Sequence, residues 1–217
     1  MRALAQPSYG WKLFWLFAAI SGLYVLIVWL TNTYLLTDEV YMRLWGGQLS
    51  SDRLQKMLDV NKKMQWIVYI AMPAIIYLKL LLIVLAIQAG LFLYEIELPF
   101  KKIFNIVLFA EIIPLLTTAI QFIYFLYRGV NSFDEINSFT PLSLLSIFGA
   151  GHLPSYLDYP LQVINVFELA YWILLAVGLK MYIGKSFGKS LRLVASSYGV
   201  GLLLWIVLVV FIEVQSS

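Results

Sequence analysis

Residues Asn165–Leu179 read NVFELAYWILLAVGL, a run in which almost every side chain is apolar. The two exceptions, Asn165 and Glu168, stand three residues apart and therefore share one face of a helix. Such a run is typical of a helix inside a membrane, where a charged side chain at the centre costs about 2.5–3.5 kcal/mol. We therefore expect this segment to span a membrane, with Glu168 turned away from lipid towards the interior of a helical bundle.

The composition of the whole chain agrees with a membrane location. The chain has 217 residues, of which 62% are hydrophobic and 12% are charged, and its mean hydropathy is +0.85. A soluble domain is roughly half apolar and a quarter charged, so this chain has too few polar residues to cover its surface in water. We predict an integral membrane protein that forms a single transmembrane domain over residues 1–217, without a separate soluble domain.

Several classes of function lack the residue patterns that they need. The chain has no cysteine, which removes disulfides and thiolate metal sites. No basic patch with interleaved aromatic residues supports nucleic-acid binding. The one histidine, His152 in GAGHLPSY, has no accompanying metal-ligand spacing, and no nucleophile elbow, P-loop or glycine-rich dinucleotide motif is present. We expect no metal, no cofactor, no catalytic residue and no enzymatic activity.

Five segments are long and apolar enough to cross a bilayer, which requires about 20 residues because the hydrocarbon core is roughly 30 Å thick. They are Trp11–Leu36, Trp66–Tyr94, Ile103–Tyr127, Leu161–Ile183 and Leu193–Ile212. Pro73 and Pro114 predict kinks in the second and third segments. The first apolar stretch is too long for a signal peptide, so we interpret it as an uncleaved anchor. The predicted fold class is all-α, a polytopic bundle of five transmembrane helices.

Two of the predicted connections carry structure of their own. The loop Thr37–Lys63 contains two patterns of short amphipathic helices, TDEVYMRLWGG and SDRLQKMLDV. These helices would lie on the membrane surface or fold over the bundle. Between the third and fourth spans, residues 140–150 predict a helix that starts at Pro141 and stops at Gly149. This piece is too short to cross a membrane, so we expect it to be interfacial or re-entrant.

The distribution of basic residues predicts the orientation of the bundle. If the N-terminus is cytoplasmic, the cytoplasmic side holds Arg2, Lys12, Lys101, Lys102, Lys180, Lys185, Lys189 and Arg192. The opposite side then holds Arg43, Arg53, Lys56, Lys62, Lys63 and Arg128. Most of this second group lies in one long loop, where basic residues influence topology less than they do in short loops. We therefore predict a cytoplasmic N-terminus and an external C-terminus.

Ionisable residues lie well inside three of the proposed spans. With polar neighbours on the same helix faces they make a set of six: Lys79, Glu111, Thr118, Gln121, Asn165 and Glu168. We predict that these residues form an intramembrane polar site that faces the bundle interior, with Lys79 paired to Glu111 or to Glu168. A buried pair that fixes the register of the helices is the favoured interpretation, and a proton or ion path or a polar substrate site is the alternative.

Small residues at a spacing of four predict close packing between helices. The pairs are Ala18 with Gly22, Ala195 with Gly199 and Ser197 with Gly201, and Gly178 adds a small residue on the fourth span. We expect the fifth span to be a packing helix, either against another helix of this chain or against another subunit.

Residues 165–179 and the following KSFGKSLRL resemble the signature region of the Yip1 family of membrane proteins in its bacterial form. Asn165, Phe167 and Leu169 take the first positions of the family pattern Asp-x-Phe-x-apolar-Trp, and Gly178–Leu179 closes the run. Asn165 stands where the family has Asp, and Trp172 comes two residues later than the family's Trp. The resemblance covers mostly Asn165 to the C-terminus. It implies a five-span, non-enzymatic protein, which we expect in a bacterial inner membrane.

The function that we expect is that of a non-catalytic Yip1-like protein that organises the membrane or partner proteins within a complex. Its partners would be the lipid bilayer and other membrane proteins, or further copies of the chain. Eukaryotic members of the family act in vesicle traffic and membrane shaping alongside small GTPases, a partnership that we do not extend to this chain. The alternative is a small-solute or ion permease, or the membrane subunit of a transporter. The alternative predicts a water-accessible cavity along the polar site, whereas the scaffold predicts polar groups that are packed dry and bonded to one another.

Overall fold

The computed structural model describes residues 8–47, 49–149 and 154–216. Arg2 and His152, which entered the predictions of topology and of metal binding, lie outside the described residues. Within these ranges every regular element is a helix, and five helical segments are long and apolar enough to cross a membrane. The predicted fold class, an all-α polytopic bundle, is confirmed.

The described residues form α-helices that we number along the chain. They are α1 (Ser8–Leu30), α2 (Asp38–Trp45), α3 (Ser51–Leu93), α4 (Phe100–Ala110), α5 (Ile112–Arg128), α6 (Phe133–Ser138), α7 (Leu144–Phe148), α8 (Asp158–Val163), α9 (Val166–Ile183), α10 (Phe187–Val194) and α11 (Val200–Ser216). A π-helical turn, Thr31–Leu35, extends α1, a second one, Ala195–Gly199, joins α10 to α11, and a 3₁₀ turn, Ser155–Leu157, precedes α8. The segments that can cross a membrane are Trp11–Leu35, Ser51–Leu93, Phe100–Arg128, Val166–Ile183 and Phe187–Gln215.

The second crossing helix is longer than predicted because nothing in the sequence stops it. Helix α3 has 43 residues and is therefore about 65 Å long, more than twice the roughly 30 Å of a hydrocarbon core. The helix predicted at SDRLQKMLDV is the first part of α3 and not a separate element, which corrects the two-helix description of the loop. Neither Gly nor Pro stands between that segment and Trp66, so the helical hydrogen bonds continue into the span.

The other predicted loop helix is α2. Thr37 caps it by accepting the Val40 N–H through its side chain. Asp38 forms an ion pair with Lys62 of α3, and Asn61 donates to the Tyr41 hydroxyl at 3.1 Å. Helix α2 thus folds over the outer part of α3, which favours the second of the two predicted placements.

The third crossing segment is interrupted at a single residue, Glu111, which separates α4 from α5. Pro114 explains the interruption. Proline has no N–H to donate to the carbonyl of Ala110, four residues earlier, and its ring crowds that carbonyl. The kink predicted at Pro114 therefore corresponds to a break that lies one turn earlier and leaves Glu111 between the two helices.

The fourth crossing segment begins at Val166, five residues after the predicted start at Leu161. Asn165 is the last residue of the connection before α9. It caps α9 by accepting the Glu168 N–H at 2.8 Å through its side chain. Residues 158–163 form the separate short helix α8. Asn165 has a high preference for cap positions, and this preference decides the boundary.

The connection before α9 lies beside the bundle. Helix α7 is shorter than predicted, with Ser143 as its cap and Gly149, whose φ is +84°, as its stop. Its start is held against the start of α9, because Leu144 N donates to the Ile164 carbonyl at 3.0 Å. Helix α8 contacts the middle of the last crossing segment through the Trp205 Nε1–Tyr159 Oη bond of 2.8 Å. The choice between an interfacial and a re-entrant form for residues 140–150 stays a prediction.

The fifth crossing segment starts at Phe187 and not at the predicted Leu193. Polar residues in FGKSLRLV lowered the hydropathy of this part but did not prevent a helix, and α10 covers Phe187–Val194. The predicted boundary marked the start of the apolar run and not the start of the helix.

The core lies where α3, α4, α9 and α10 meet, and small residues set some of the distances there. A Cβ added to Gly90 would lie 2.3 Å from the Ser197 Cβ, and one added to Gly178 would lie 2.5 Å from Ile106 Cγ2. Added Cβ atoms at Gly199 and Gly201 would meet Trp172 at 2.7 Å and Ala86 at 3.4 Å. The predicted packing role therefore fits Gly178, Gly199, Gly201 and Ser197, and Gly90 joins them.

The other small-residue predictions are not met within this chain. An added Cβ at Gly22 would have nothing within 4 Å, and Ala195 is exposed. Ala18, one turn before Gly22 on α1, is partly buried. Among the described residues no close helix contact is therefore made at Gly22, contrary to the packing predicted for the Ala18–Gly22 pair of α1.

Candidate functional site

Glu111 is completely buried at the junction of α4 and α5, with 0% of its surface exposed. Its Oε1 accepts a hydrogen bond from Tyr24 Oη of α1 at 3.0 Å and one from Lys79 Nζ of α3 at 2.6 Å. One carboxylate therefore joins three of the five crossing segments. Of the two partners that the sequence left open for Lys79, the structure brings Glu111 to it.

Lys79 lies at the edge of this contact. Its side chain is 43% exposed, whereas that of Glu111 is 1% exposed. An ammonium that turns inward to a carboxylate avoids the cost of meeting hydrocarbon, and charged donors make the stronger class of hydrogen bond. The ion pair thus stands at the boundary between the bundle interior and its surroundings.

Glu168 has a separate set of partners. Its Oε1 accepts from Trp172 Nε1, one turn later on α9, and from Tyr198 Oη, each at 2.8 Å. Tyr198 belongs to the π-helical turn between α10 and α11. Glu168 therefore joins α9 to the last crossing segment through Tyr198. Lys79, whose predicted partner was Glu111 or Glu168, pairs with Glu111.

The other three residues of the predicted polar site serve local structure. Thr118 Oγ1 donates to the Pro114 carbonyl one turn earlier at 3.0 Å. Gln121 Nε2 donates to the Ile136 carbonyl at 2.7 Å and so ties α5 to α6. Asn165 caps α9. The six residues are therefore divided among two carboxylate clusters, one helix cap and two side-chain bonds to backbone carbonyls.

Tyrosines are the part of the site that the sequence did not indicate. Tyr24 and Tyr198 each donate to a carboxylate. Tyr171 is 1% exposed, its ring centroid lies 5.5 Å from that of Tyr198, and its hydroxyl has no hydrogen-bond partner among the described residues. Tyrosine is also common at membrane interfaces, so its presence in a span does not by itself identify a buried donor.

The arrangement suits the fixing of helices. Each carboxylate accepts two donors, and in both clusters at least one donor comes from another crossing segment. Among the described residues no group of three or more His, Cys, Asp or Glu side chains could hold a metal ion.

Two cavities of the described residues have linings that include neither carboxylate. One of about 270 Å³ lies between the end of α1 and the outer part of α3, with Asn32, Asp38 and Lys62 in its lining. The other, of about 990 Å³, lies among α5 to α8 and the end of α11. Neither of the two is lined by Glu111, Thr118, Gln121, Asn165 or Glu168.

Comparisons of the chain with models of known protein families, with curated proteins and with solved structures find no match.

Proposed function

We propose that the chain is a non-catalytic, multi-pass membrane protein that organises the bilayer or partner membrane proteins within a complex. The observation that carries this proposal is the buried carboxylate of Glu111, whose two donors lie on two other crossing segments. A group bonded in this way favours one arrangement of the helices over others. A fixed framework needs this property.

The energy of the pair supports a structural role. Removing one partner of a fully buried ion pair typically costs about 3–5 kcal/mol because the other charge is left without compensation. Lys79 is 43% exposed, so we take the lower end, about 3 kcal/mol, for this pair. A whole domain is stable by only about 5–15 kcal/mol. The Lys79–Glu111 contact is thus large enough to decide whether α1, α3 and the α4–α5 junction stay together.

The permease alternative has less support. It requires water at the six-residue polar site, but Glu111 is 0% exposed and the polar side chains of the set have partners within the bundle. The two cavities described above have other linings. Bonded polar groups are what the scaffold hypothesis predicts, and Glu111 is the one of the six that is fully buried.

The outer faces of the spans support a role among lipids and membrane proteins. On α11, Leu203, Leu204 and Val207 are each at least 63% exposed. Apolar side chains at this exposure need lipid tails or another membrane helix around them. They supply a surface for the bilayer, for a further copy of the chain or for a partner helix.

The family resemblance and the topology belong to the same proposal. The Yip1-like region at residues 165–179 favours a non-enzymatic member of that family in a bacterial inner membrane. Basic residues flank both short connections on the side that we assign to the cytoplasm, Lys101 and Lys102 after one and Lys185 and Lys189 at the other. This distribution supports a cytoplasmic N-terminus.

Because the chain has no cysteine, single-cysteine variants test whether the interior is dry. Ala110→Cys next to Glu111 and Thr118→Cys on α5 probe whether water reaches the polar site, as the permease hypothesis requires. Ser155→Cys in the large cavity is the accessible control, and Leu208→Cys on the lipid face of α11 is the inaccessible one. Each variant is treated with a water-soluble maleimide in membranes.

The scaffold predicts labelling at Ser155→Cys and none at Ala110→Cys or Thr118→Cys. It also predicts that light scattering in mild detergent finds the chain in an assembly larger than one copy. Rapid labelling at positions 110 and 118, with a monomeric mass, would reject the scaffold in favour of the permease.

A further inference from the structure

The end of the bundle that holds the α3–α4 and α9–α10 connections is strongly basic. Residues 94–102 and 180–192, which cover these connections and the adjoining helix ends, contain six basic side chains and two acids, Glu95 and Glu97. All six basic side chains are exposed, and we call them the basic patch. They are Lys101, Lys102, Lys180, Lys185, Lys189 and Arg192.

The fold brings the two connections together. Lys102 Nζ, at the start of α4, lies 5.2 Å from the centroid of the Tyr182 ring at the end of α9. Helix α10 packs against α9 and buries Leu193, whereas its Lys189 and Arg192 are exposed. The positive charges of both connections therefore act on the same end of the bundle.

The charges of the basic patch are not compensated within the described residues, since none of its six members forms an ion pair with a carboxylate there. Several cations at the other end of the bundle are engaged. Lys62 pairs with Asp38, Arg128 pairs with Glu135, and Arg43 donates to a backbone carbonyl. The fold thus leaves a surplus of positive charge at the end that carries the basic patch.

The basic patch lies at the depth of lipid headgroups. Lys101 and Lys102 are in the first turn of the third crossing segment, and Lys180 is in the last turn of the fourth. Leu93 and Met181, at the same end, are each 78% exposed, which suits lipid tails and not water. A ligand that covers this surface therefore combines negative charge with an apolar part.

We propose that the basic patch binds the phosphate headgroups of anionic phospholipids in the surrounding leaflet. Clusters of about four to eight Lys and Arg beside a crossing helix attract such lipids because the charges are complementary. Lysine and arginine donate charge-assisted hydrogen bonds to phosphate oxygens, and the acyl chains cover the exposed apolar side chains. A zwitterionic lipid brings no net charge and is bound less tightly. Headgroup selection of this kind does not depend on the scaffold role, since a permease with the same two connections would bind the same lipids.

Native mass spectrometry of the full chain in detergent provides the test, because it resolves each bound lipid by its mass. Dioleoyl phosphatidylglycerol is the anionic probe. Dioleoyl phosphatidylcholine, which has the same acyl chains, is the zwitterionic comparator. Two double variants reduce the charge of the basic patch, Lys101→Gln with Lys102→Gln and Lys185→Gln with Lys189→Gln.

The matched control is Lys56→Gln with Lys63→Gln. It removes the same charge from exposed lysines on the outer part of α3, which form no ion pair among the described residues. A hexaglutamate peptide represents a different class of partner, an acidic segment of a protein. Titrations at low and high ammonium acetate concentrations measure how far binding depends on charge.

We expect phosphatidylglycerol to bind at least about tenfold more tightly than phosphatidylcholine. Each patch variant weakens phosphatidylglycerol binding about fivefold or more, the control variant changes it less than about twofold, and high salt weakens it in the wild type. Equal affinity for the two lipids, or equal losses in the patch and control variants, overturns the proposal. Binding of hexaglutamate without selection between the lipids overturns it in favour of an acidic protein partner.

Discussion

A carboxylate within a membrane span is stable when neighbouring groups donate to it, because hydrocarbon offers it nothing in place of water. Glu111 and Glu168 meet this need differently. Glu111 depends on Tyr24 and Lys79 of two other segments, whereas Glu168 obtains one donor from its own helix. Changes at Glu111 should therefore loosen more of the bundle than changes at Glu168.

Removing the hydroxyl group of Tyr24 tests how much the donors to Glu111 stabilise the bundle. Tyr24→Phe takes one donor from a buried carboxylate, and we expect the free energy of unfolding to fall by about 1.5–3 kcal/mol, the usual range for bonds to charged groups. Tyr77→Phe on the outer face of α3 is the control, since Tyr77 is 47% exposed and its hydroxyl makes no hydrogen bond with the described residues. Denaturant titration in detergent measures both variants. Equal losses in the two would show that the Glu111 contact has no special weight.

At the scale of helices, two kinds of local rule decide the boundaries. The apolar run marks where a helix enters lipid, but a helix stops only at a cap or a breaker. Residues 51–65 are helical although they are polar, because neither Gly nor Pro interrupts them. Phe187–Val194 is helical although it contains Gly188, which lies in the first turn of α10. Asn165 ends the connection before α9 because its side chain satisfies a free N–H at the start of that helix.

The cap gives a prediction for α9. Asn165→Ala removes the acceptor of the Glu168 N–H and should lower the free energy of unfolding by about 1 kcal/mol, the usual value for such a cap. Ser50 occupies the same position before α3 but makes no side-chain cap bond. Ser50→Ala should therefore change stability by less than about 0.5 kcal/mol. Thermal unfolding of both variants provides the comparison. A loss of stability in Asn165→Ala no larger than that in Ser50→Ala would contradict the prediction.

Glycine contacts give a second prediction at this scale. At Gly90 an added Cβ would lie 2.3 Å from Ser197 Cβ, so Gly90→Ala must push α3 away from the π-helical turn. We expect a loss of about 1–3 kcal/mol, as for other overpacked sites.

Gly22 is the matched control because an added Cβ there meets nothing within 4 Å. Gly22→Ala should be neutral or stabilise α1 by up to about 1 kcal/mol through the lower entropy cost of alanine. Unfolding of both alanine variants by denaturant provides the measurement. A destabilised Gly22→Ala would indicate that the Ala18–Gly22 face packs against another copy of the chain.

At the scale of the whole molecule, the sequence predicts the class and the number of spans better than it predicts contacts between them. Hydropathy reports each span independently, so five apolar runs indicate five crossing segments. Pairing depends on the axial offset and tilt of separate helices, which a sequence pattern does not contain. The sequence therefore indicates that Lys79 pairs with either Glu111 or Glu168, but it does not indicate which of the two.

The candidate site shows the same limit. Glu111, Thr118 and Gln121 share one face only if the third span is a continuous helix, and the interruption near Pro114 separates Glu111 from the other two. The tyrosines that complete the clusters carry no charge, and nothing in the sequence distinguishes Tyr24 or Tyr198 from other aromatic residues in the spans. Buried charges could be predicted from the sequence, and their donors required the fold.

The central claim is that Lys79 and Glu111 form a structural pair, and a double-mutant cycle tests it most directly. Lys79→Met, Glu111→Gln and the double variant are unfolded in mild detergent, beside the same cycle at the exposed Lys62–Asp38 pair with Lys62→Met and Asp38→Asn. We predict that each single change at the buried pair costs about 3 kcal/mol and that the double change costs much less than their sum. The exposed pair should show a coupling below about 1 kcal/mol. A coupling at Lys79–Glu111 no larger than that of the exposed pair would contradict the account.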